Sequence, residues 1–453
     1  MTSTTRTAAL HNLGCKVNAY ETEVMRQQLA AAGYDIVPFH EKADVYVINT
    51  CSVTNIADRK SRQMISRARK TNPEAVVAAV GCYVQTATEK TSLPVDADLV
   101  LGNDRKSKLV ELLEPFFENR EHNEKVLDVT DISSQKEYED LSLEGQGVHT
   151  RAFLKVEDGC NQFCSYCIIP YARGRVRSRS IDDTVREISR LAGSGVREIV
   201  LTGIHLSAYG TDLGMEGGNG LMKLIRAASE VEGISRIRLG SLEPGIITQE
   251  LAGELSRNEK ICPHFHLSLQ SGCNTVLKRM NRHYDTDSYA EKCRILRDAF
   301  DDPALTTDVI VGFPGESEDE FEQTVDFLKK IRFYETHIFK YSPREGTRAA
   351  RMDGQLTEKV KAARSDTLIE LGKQNKAAYE EKISQRPVEL LAEEKVIVGG
   401  ETFYSGHTRE YIHTLAPAGE LEKIVGDVNG KVFSGRMRRE GENWLFSPSG
   451  IEY

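Results

Sequence analysis

Short apolar runs alternate with stretches of helical spacing from the start of the chain. TAALHNLGC closes on Cys15 and gives way to ETEVMRQQLAAAG, a helical pattern that stops at Gly33. ADVYVINTC closes on Cys51, and a basic amphipathic helix then runs to Asn72 and Pro73. AVVAAVGC closes on Cys82. This alternation predicts parallel strands joined by crossover helices, with their carboxyl ends sharing one edge where ligands bind. Cys15, Cys51 and Cys82 each stand just past a strand end, so they are expected to converge there. Three thiolates fill three positions around a tetrahedral metal, or one face of an iron–sulfur cluster, and leave one site open. Buried structural cysteine is the plainer reading of any one of them, but the equivalent positions of all three favour ligation.

A polar, acidic stretch from PFFENREHNEKV to DLSLEGQG reads as a linker carrying a short strand or two. Six strand candidates follow at regular intervals: FLKVEDGC, EIVLTGIH, RIRLGSLEP, HFHLSLQSG, TTDVIVGFPGE and THIFKYSPREGT. Helical stretches such as IDDTVREISRLAGSG separate them. Repeated strand–helix units predict a partial (β/α)6 barrel, open-sided, with its active site at the carboxyl-terminal mouth. A long charged helix then ends at Pro387, and glycine-rich alternating runs predict a small antiparallel β-barrel. The fold class is α/β, with domains expected at 1–140, 146–378 and 380–450.

A length of 453 residues fits two or three domains, and 40% hydrophobic with 28% charged residues is ordinary globular composition. The first residues lack the pattern of a signal peptide, and no apolar run approaches the ~20 residues that cross a bilayer. The chain reads as cytoplasmic, without a membrane partner. Nine cysteines in a reducing compartment point to metal binding or catalysis. The net charge of −9 argues against nucleic acid only on average, because binding needs a local basic stripe. Arg173, Arg175, Arg177 and Arg179 alternate in one such stripe, for which phosphate contact and a solvated face are equal readings. Lys60, Arg62, Arg67, Arg69 and Lys70 crowd a helix and read as a solvated face. Arg436, Arg438 and Arg439 are the basic face expected on the terminal barrel.

Cys160, Cys164 and Cys167 form CxxxCxxC directly after the first barrel strand. Zinc sites draw four ligands in two pairs, and no second pair lies nearby. A three-cysteine loop suits a [4Fe–4S] cluster whose fourth iron is free to chelate S-adenosylmethionine. With Tyr166 before the third cysteine, the loop resembles the radical S-adenosylmethionine superfamily, in which an electron from the cluster cleaves the sulfonium to a 5′-deoxyadenosyl radical. Cofactor contacts are expected from Tyr166 and from polar groups at strand ends: Thr202, Ser241, Glu243, Gln270 and Ser271, with Gly312 letting backbone approach the adenine. His205 follows the same strand as Thr202 and reads also as a surface residue or one behind the site. Cys262, Cys273 and Cys293 show no ligand spacing, and no residue is assigned as an acid–base catalyst.

LGCKVNAYETE, NTCSVTNIADRKSRQ, VGCY and GCNQFCSYCIIPYARGRVRSR together resemble the methylthiotransferase family of radical enzymes over essentially the whole chain. The resemblance implies a terminal domain similar to the RNA-binding TRAM module. It implies an auxiliary [4Fe–4S] cluster on Cys15, Cys51 and Cys82 and a radical-generating one on Cys160, Cys164 and Cys167. It further implies a tRNA anticodon loop as partner, two S-adenosylmethionine molecules, a reducing electron donor and a sulfur source. Lys16-Val17-Asn18 after Cys15, and TGIHLSAYG, resemble the branch that methylthiolates C2 of N6-threonylcarbamoyladenosine at position 37. An anionic, polar substituent calls for cationic or hydrogen-bonding groups, for which Lys16, Arg344 and the arginine run are candidates. The alternatives are the branches acting on isopentenyladenosine or on a ribosomal-protein aspartate. A non-catalytic iron–sulfur RNA-binding module is a further alternative, disfavoured because no fourth protein ligand stands beside Cys160.

Overall fold

The structure is a computed structural model of the chain that describes residues 5–88, 96–118, 125–144, 150–215 and 218–452. Valine-rich runs buried on both faces build its amino-terminal sheet, as parallel strands covered by helices require. Its strands are β1 (Thr7–Asn12), β2 (Asp35–Ile36), β3 (Val45–Thr50), β4 (Val76–Gly81), β5 (Leu99–Leu101) and β6 (Val126–Asp128). They run parallel in the order β2-β1-β3-β4-β5-β6. The helices α1 (Lys16–Ala31), α2 (Asn55–Thr71) and α3 (Cys82–Thr88) leave the carboxyl ends of β1, β3 and β4, three neighbours in the sheet. Among the described linker residues one strand, β6, joins this sheet at its edge; linker residues 119–124 and 145–149 lie outside the described set.

The central barrel starts with β7 (Arg151–Lys155) and the short antiparallel pair β8 (Glu157–Asp158) and β9 (Arg177–Ser178). It continues through β10 (Glu198–Thr202), β11 (Arg236–Leu239), β12 (Ser241–Leu242), β13 (His264–Leu267), β14 (Ala304–Val311) and β15 (Glu335–Lys340). The parallel sheets β11-β10-β7 and β12-β13-β14-β15 are joined because β11 runs on into β12 and Ile237 bridges to Ile261. Along each strand alternate residues such as Leu154, Ile199, Leu201, Ile237, Leu305 and Val309 pack into the core under the outer helices. The intervening ones face the lumen.

β16 (Val388–Val398), β17 (Glu401–Thr408), β18 (His413–Pro417), β19 (Val432–Glu440) and β20 (Asn443–Glu452) close a small barrel in the order β16-β17-β18-β20-β19. Its pairs are antiparallel except for one parallel contact, Leu415 to Leu445. This barrel sits under the amino ends of the central strands. Arg236 donates to the carbonyls of His407 (2.9 Å) and Glu389 (3.1 Å), and Arg238 to that of Arg409 (2.9 Å). Between β17 and β18, Tyr411 enters the floor of the lumen. Its ring lies 5.0 Å from that of His264, beneath the guanidiniums of Arg238 (4.6 Å) and Arg151 (4.9 Å). Tyr411 has φ 75°, left-handed backbone that a bulky residue adopts only when its surroundings hold it.

Candidate active site

Each cysteine of the first triad leaves its strand at the same height. Cys51 and Cys82 follow the register pair Thr50 and Gly81, and Cys15 caps α1 beyond β1. Gly14, at φ +103°, brings backbone so close to this edge that a Cβ there would meet the Cys51 sulfur at 2.8 Å. Gly159 plays the same part before Cys160: its φ is +84°, and a Cβ would stand 1.9 Å from the Arg175 carbonyl. In both places a side chain would displace the cysteine loop.

The second triad opens into a cavity of about 280 Å³ at the barrel mouth. Cys160, Cys164 and Cys167 line it together with Tyr166, His205, Glu243, Gln270, Arg282 and Asp308. The amino-terminal domain completes the wall with Val53 and Thr54, just past Cys51. Arg344, from the segment after β15, locks the two units by donating to Ser52 (2.8 Å), Asn55 (2.8 Å) and Asp58 (2.6 Å).

Positive charge is aimed at the sulfurs. Arg173 Nε lies 3.3 Å from Cys82 Sγ, and Asn103 Nδ2 lies 3.6 Å from the same atom. Arg282 Nη1 donates to Cys164 Sγ at 3.1 Å while its other arm holds Glu243. Burial pushes the thiols of Cys51, Cys160 and Cys167 up to about 12, with neighbouring thiols adding to the effect. They are protonated at neutral pH until a metal displaces the proton. Burial likewise lowers His205, leaving its imidazole neutral.

Residues 154–328 match the Radical SAM superfamily, and residues 7–102 match the uncharacterized protein family UPF0004. The threonylcarbamoyladenosine tRNA methylthiotransferase MtaB of Bacillus subtilis is 41% identical over 96% of this chain and 94% of its own length. The chain belongs to the methylthiotransferase family of radical S-adenosylmethionine enzymes. Its relatives also include the tRNA-2-methylthio-N(6)-dimethylallyladenosine synthase of Thermodesulfovibrio yellowstonii, 34% identical over 92% of this chain and 95% of that one. Among solved structures, the radical S-adenosylmethionine methyltransferase TsrM of Kitasatospora setae superposes with a TM-score of 0.53 at 16% identity, covering 74% of this chain and 73% of that one. That likeness shows the shared fold.

A radical methylthiotransferase uses S-adenosylmethionine and a [4Fe–4S] cluster, and the donor sets fit an iron–sulfur group. Among the described residues only His266, Asp308 and His337 bring three ligand atoms within 4.8 Å of one another. The N–H groups of Arg173, Asn103 and Arg282 on the sulfurs suit thiolate bound to a larger group.

Of the expected cofactor contacts, Tyr166, Glu243 and Gln270 line the cavity. Thr202 and Ser271 are buried outside it, and the Ser271 hydroxyl is tied to Thr324 (3.3 Å) and to the Cys273 amide (3.2 Å). Ser241 is exposed and does not line the cavity. Gly312 packs against the helix Glu358–Ser384, where a Cβ would meet Lys361 Cγ at 2.4 Å. Its close approach serves packing.

The arginine run needs correction as well. Arg173, Arg177 and Arg179 are buried, so they cannot present charge to an external phosphate. Arg173 pairs with Glu21 (2.9 Å) and Asp158 (3.0 Å), Arg177 faces Asp158 (3.7 Å), and Arg179 pairs with Glu187. Only Arg175 is exposed, lying over the Phe163 ring at 4.5 Å. Arg436 and Arg438 are exposed on the terminal barrel. Arg282 and Asp308 escaped the sequence reading. Asp308 left a signal, a lone carboxylate inside the apolar run TTDVIVG; Arg282 left none, because it arrives from an irregular segment.

Proposed function

We propose that this enzyme adds a methylthio group to C2 of N6-threonylcarbamoyladenosine at position 37 of tRNA. The observation that carries this reading is that Val53 and Thr54, just past Cys51, form part of the wall of the cavity lined by Cys160, Cys164 and Cys167. The names of the MtaB relatives support the substrate. We assign one [4Fe–4S] cluster to Cys160, Cys164 and Cys167 and a second, auxiliary one to Cys15, Cys51 and Cys82. Two S-adenosylmethionine molecules are used, with an external electron donor and sulfur source. When bound, the clusters supply the electron for sulfonium cleavage and the site of sulfur delivery.

The chain's own groups do the positioning. Arg282 fixes Glu243 and Cys164 relative to each other at the mouth. Tyr166 packs beside the core of Phe313 and Tyr341 and holds the cysteine loop down. Gln270 and Glu243 offer hydrogen bonds into the cavity. We read 1–140 as the auxiliary-cluster domain, 146–378 as the radical domain and 380–450 as a TRAM-like RNA-binding domain, in a cytoplasmic enzyme. RNA phosphates are contacted by Arg175, Arg436 and Arg438, and by the exposed Lys60, Arg62 and Arg67 of α2, a helix that begins where the cavity wall ends.

The test offers the anaerobically reconstituted enzyme anticodon stem-loops carrying threonylcarbamoyladenosine or isopentenyladenosine, with nucleoside mass spectrometry as readout. Preferential methylthiolation of the threonylcarbamoyl form is expected. Turnover of the isopentenyl form alone, or of a ribosomal-protein peptide, sinks the substrate assignment.

A further inference from the structure

Below the cysteine cavity the barrel lumen carries a polar layer. Asp308 on β14 stands in register with His337 on β15, and His266 on β13 with Thr306 on β14. Their neighbours Leu267, Val309 and Ile338 pack outward against the helices, so these three side chains point inward. His266 Nε2 lies 3.4 Å from Asp308 Oδ2, and the two imidazoles stack with centroids 5.8 Å apart. His266 Nδ1 is engaged by Thr306 Oγ1 at 3.0 Å. Its Nε2 is buried and has no hydrogen-bond partner among the described residues. A buried polar atom left unsatisfied in this way is costly unless a ligand completes it. Asp308 also lines the cavity of Cys160, Cys164 and Cys167, so the polar layer is the downward continuation of that cavity.

Lys16 reaches the same space from the other domain. It is the first residue of α1, beside Cys15. Its electrostatic neighbours are Asp308 on one wall and Glu198, Arg151 and Arg238 on the opposite strands, so it faces the barrel. Arg151 and Arg238 are committed to Glu198 at 3.2 and 2.9 Å. Lys16 has neither ion pair nor hydrogen bond among the described residues. Arg344, Arg173, Arg177 and Arg179 already face carboxylates of the chain.

We infer that Lys16, His266, Asp308 and His337 form a recognition chamber for a carboxylate-bearing, hydroxylated substituent on the purine that enters the barrel. The inference rests on the substrate reading above, where that substituent is the threonylcarbamoyl group. The Lys16 ammonium pairs with the carboxylate, Asp308 accepts from the hydroxyl or a carbamoyl N–H, and the imidazoles take the remaining bonds. An isopentenyl group offers none of these and leaves the four polar side chains unanswered, which is how a polar site rejects an apolar analogue. A resident divalent cation on His266, Asp308 and His337 is disfavoured by the positive charge of Lys16 acting on Asp308.

The test uses the holoenzyme with three anticodon stem-loops, carrying threonylcarbamoyladenosine, its neutral threonine carboxamide, or isopentenyladenosine. Equilibrium binding and KM are measured, and variants are compared at wild-type iron content. Wild type should favour carboxylate over carboxamide by about tenfold or more. Lys16→Gln should bring that ratio to about one through KM, and Lys16→Arg should restore it. His337→Phe, remote in sequence from both cysteine triads, should weaken both threonyl forms and leave the isopentenyl form unchanged. Retention of the wild-type ratios in Lys16→Gln and His337→Phe overturns the chamber while leaving the substrate assignment intact. Wild-type preference for the isopentenyl form overturns both. Stoichiometric Mn(II) binding seen by electron paramagnetic resonance and lost in Asp308→Asn would assign the three residues to a metal instead, because Mn(II) prefers such O and N ligands over thiolates.

Discussion

Arg173 Nε lies 3.3 Å from the sulfur of Cys82, a residue 91 positions earlier in the chain. The same guanidinium holds Glu21 and Asn18 of α1 and Asp158 of the barrel, while Lys155 bonds Glu21 (2.7 Å) and Asp158 (2.6 Å). Burial alone would raise the Glu21 and Asp158 carboxyls. Arg173 and the neighbouring lysines outweigh it and hold both well below the usual range. One buried ion network therefore sets the first cysteine triad against the barrel.

Removing Arg173 should uncouple the two domains. Arg173→Ala leaves buried carboxylates under-compensated and is expected to cost about 3 kcal/mol in denaturant unfolding. Iron content should fall towards half as the Cys82 site loosens. Wild-type stability with full iron would show that the network carries no such load.

The two triads should fail separately. Replacing Cys160, Cys164 and Cys167 with Ala should leave about four irons per chain and abolish 5′-deoxyadenosine formation. Replacing Cys15, Cys51 and Cys82 should also remove about four irons, yet spare S-adenosylmethionine cleavage and stop methylthio product. Methylthio product from the second variant would refute the auxiliary role.

Glu198 should give the unfolding profile an acid limb. Burial would raise its carboxyl, but Arg238 and Arg151 overcome this and hold it at about 2, against 4.5 ordinarily. A depressed folded value means the stabilisation is complete above about pH 4.5 and fades as pH falls towards 2. Its size is about 3 kcal/mol. Urea unfolding of the metal-free protein across this window should show the loss, and Glu198→Gln should flatten it. A variant as pH-sensitive as wild type would assign the limb to other carboxylates.

Exposed and buried arginines should behave differently towards RNA. The double change Arg436→Ala and Arg438→Ala should lower the slope of log binding constant against log salt by about 2. Arg177→Ala should leave that slope alone and reduce stability instead. An unchanged slope in the double variant would return these two side chains to plain solvated surface.

The strands that carry the cysteines were legible because runs such as VVAAVG are buried on both faces and interrupted by glycine before Cys82. The six barrel strands were legible for a similar reason, since each ends in a polar turn. The arginine run was misread because alternation reveals a face but not what covers it. Arg177 pairs in register with Asp158 across two short strands, Arg173 reaches Glu21 of α1 as well as Asp158, and Arg179 is covered by Glu187 of the following helix. Of the strand-end candidates for cofactor contact, Glu243 and Gln270 line the cavity. Ser271 does not line it, because a turn swings its hydroxyl towards Thr324. The polar layer of His266, Asp308 and His337 needs the register of three strands, which no local window contains.

Tyr411 gives the terminal barrel a second office. Wedged beneath Arg151, Arg238 and His264, it is the stopper in a vessel that would otherwise drain at both ends. A chain cut short after the helix Glu358–Ser384 would keep both cysteine triads and lose the floor of the lumen. Bulk water and its exchangeable hydrogens would enter the lumen from below, at the end opposite the cysteines.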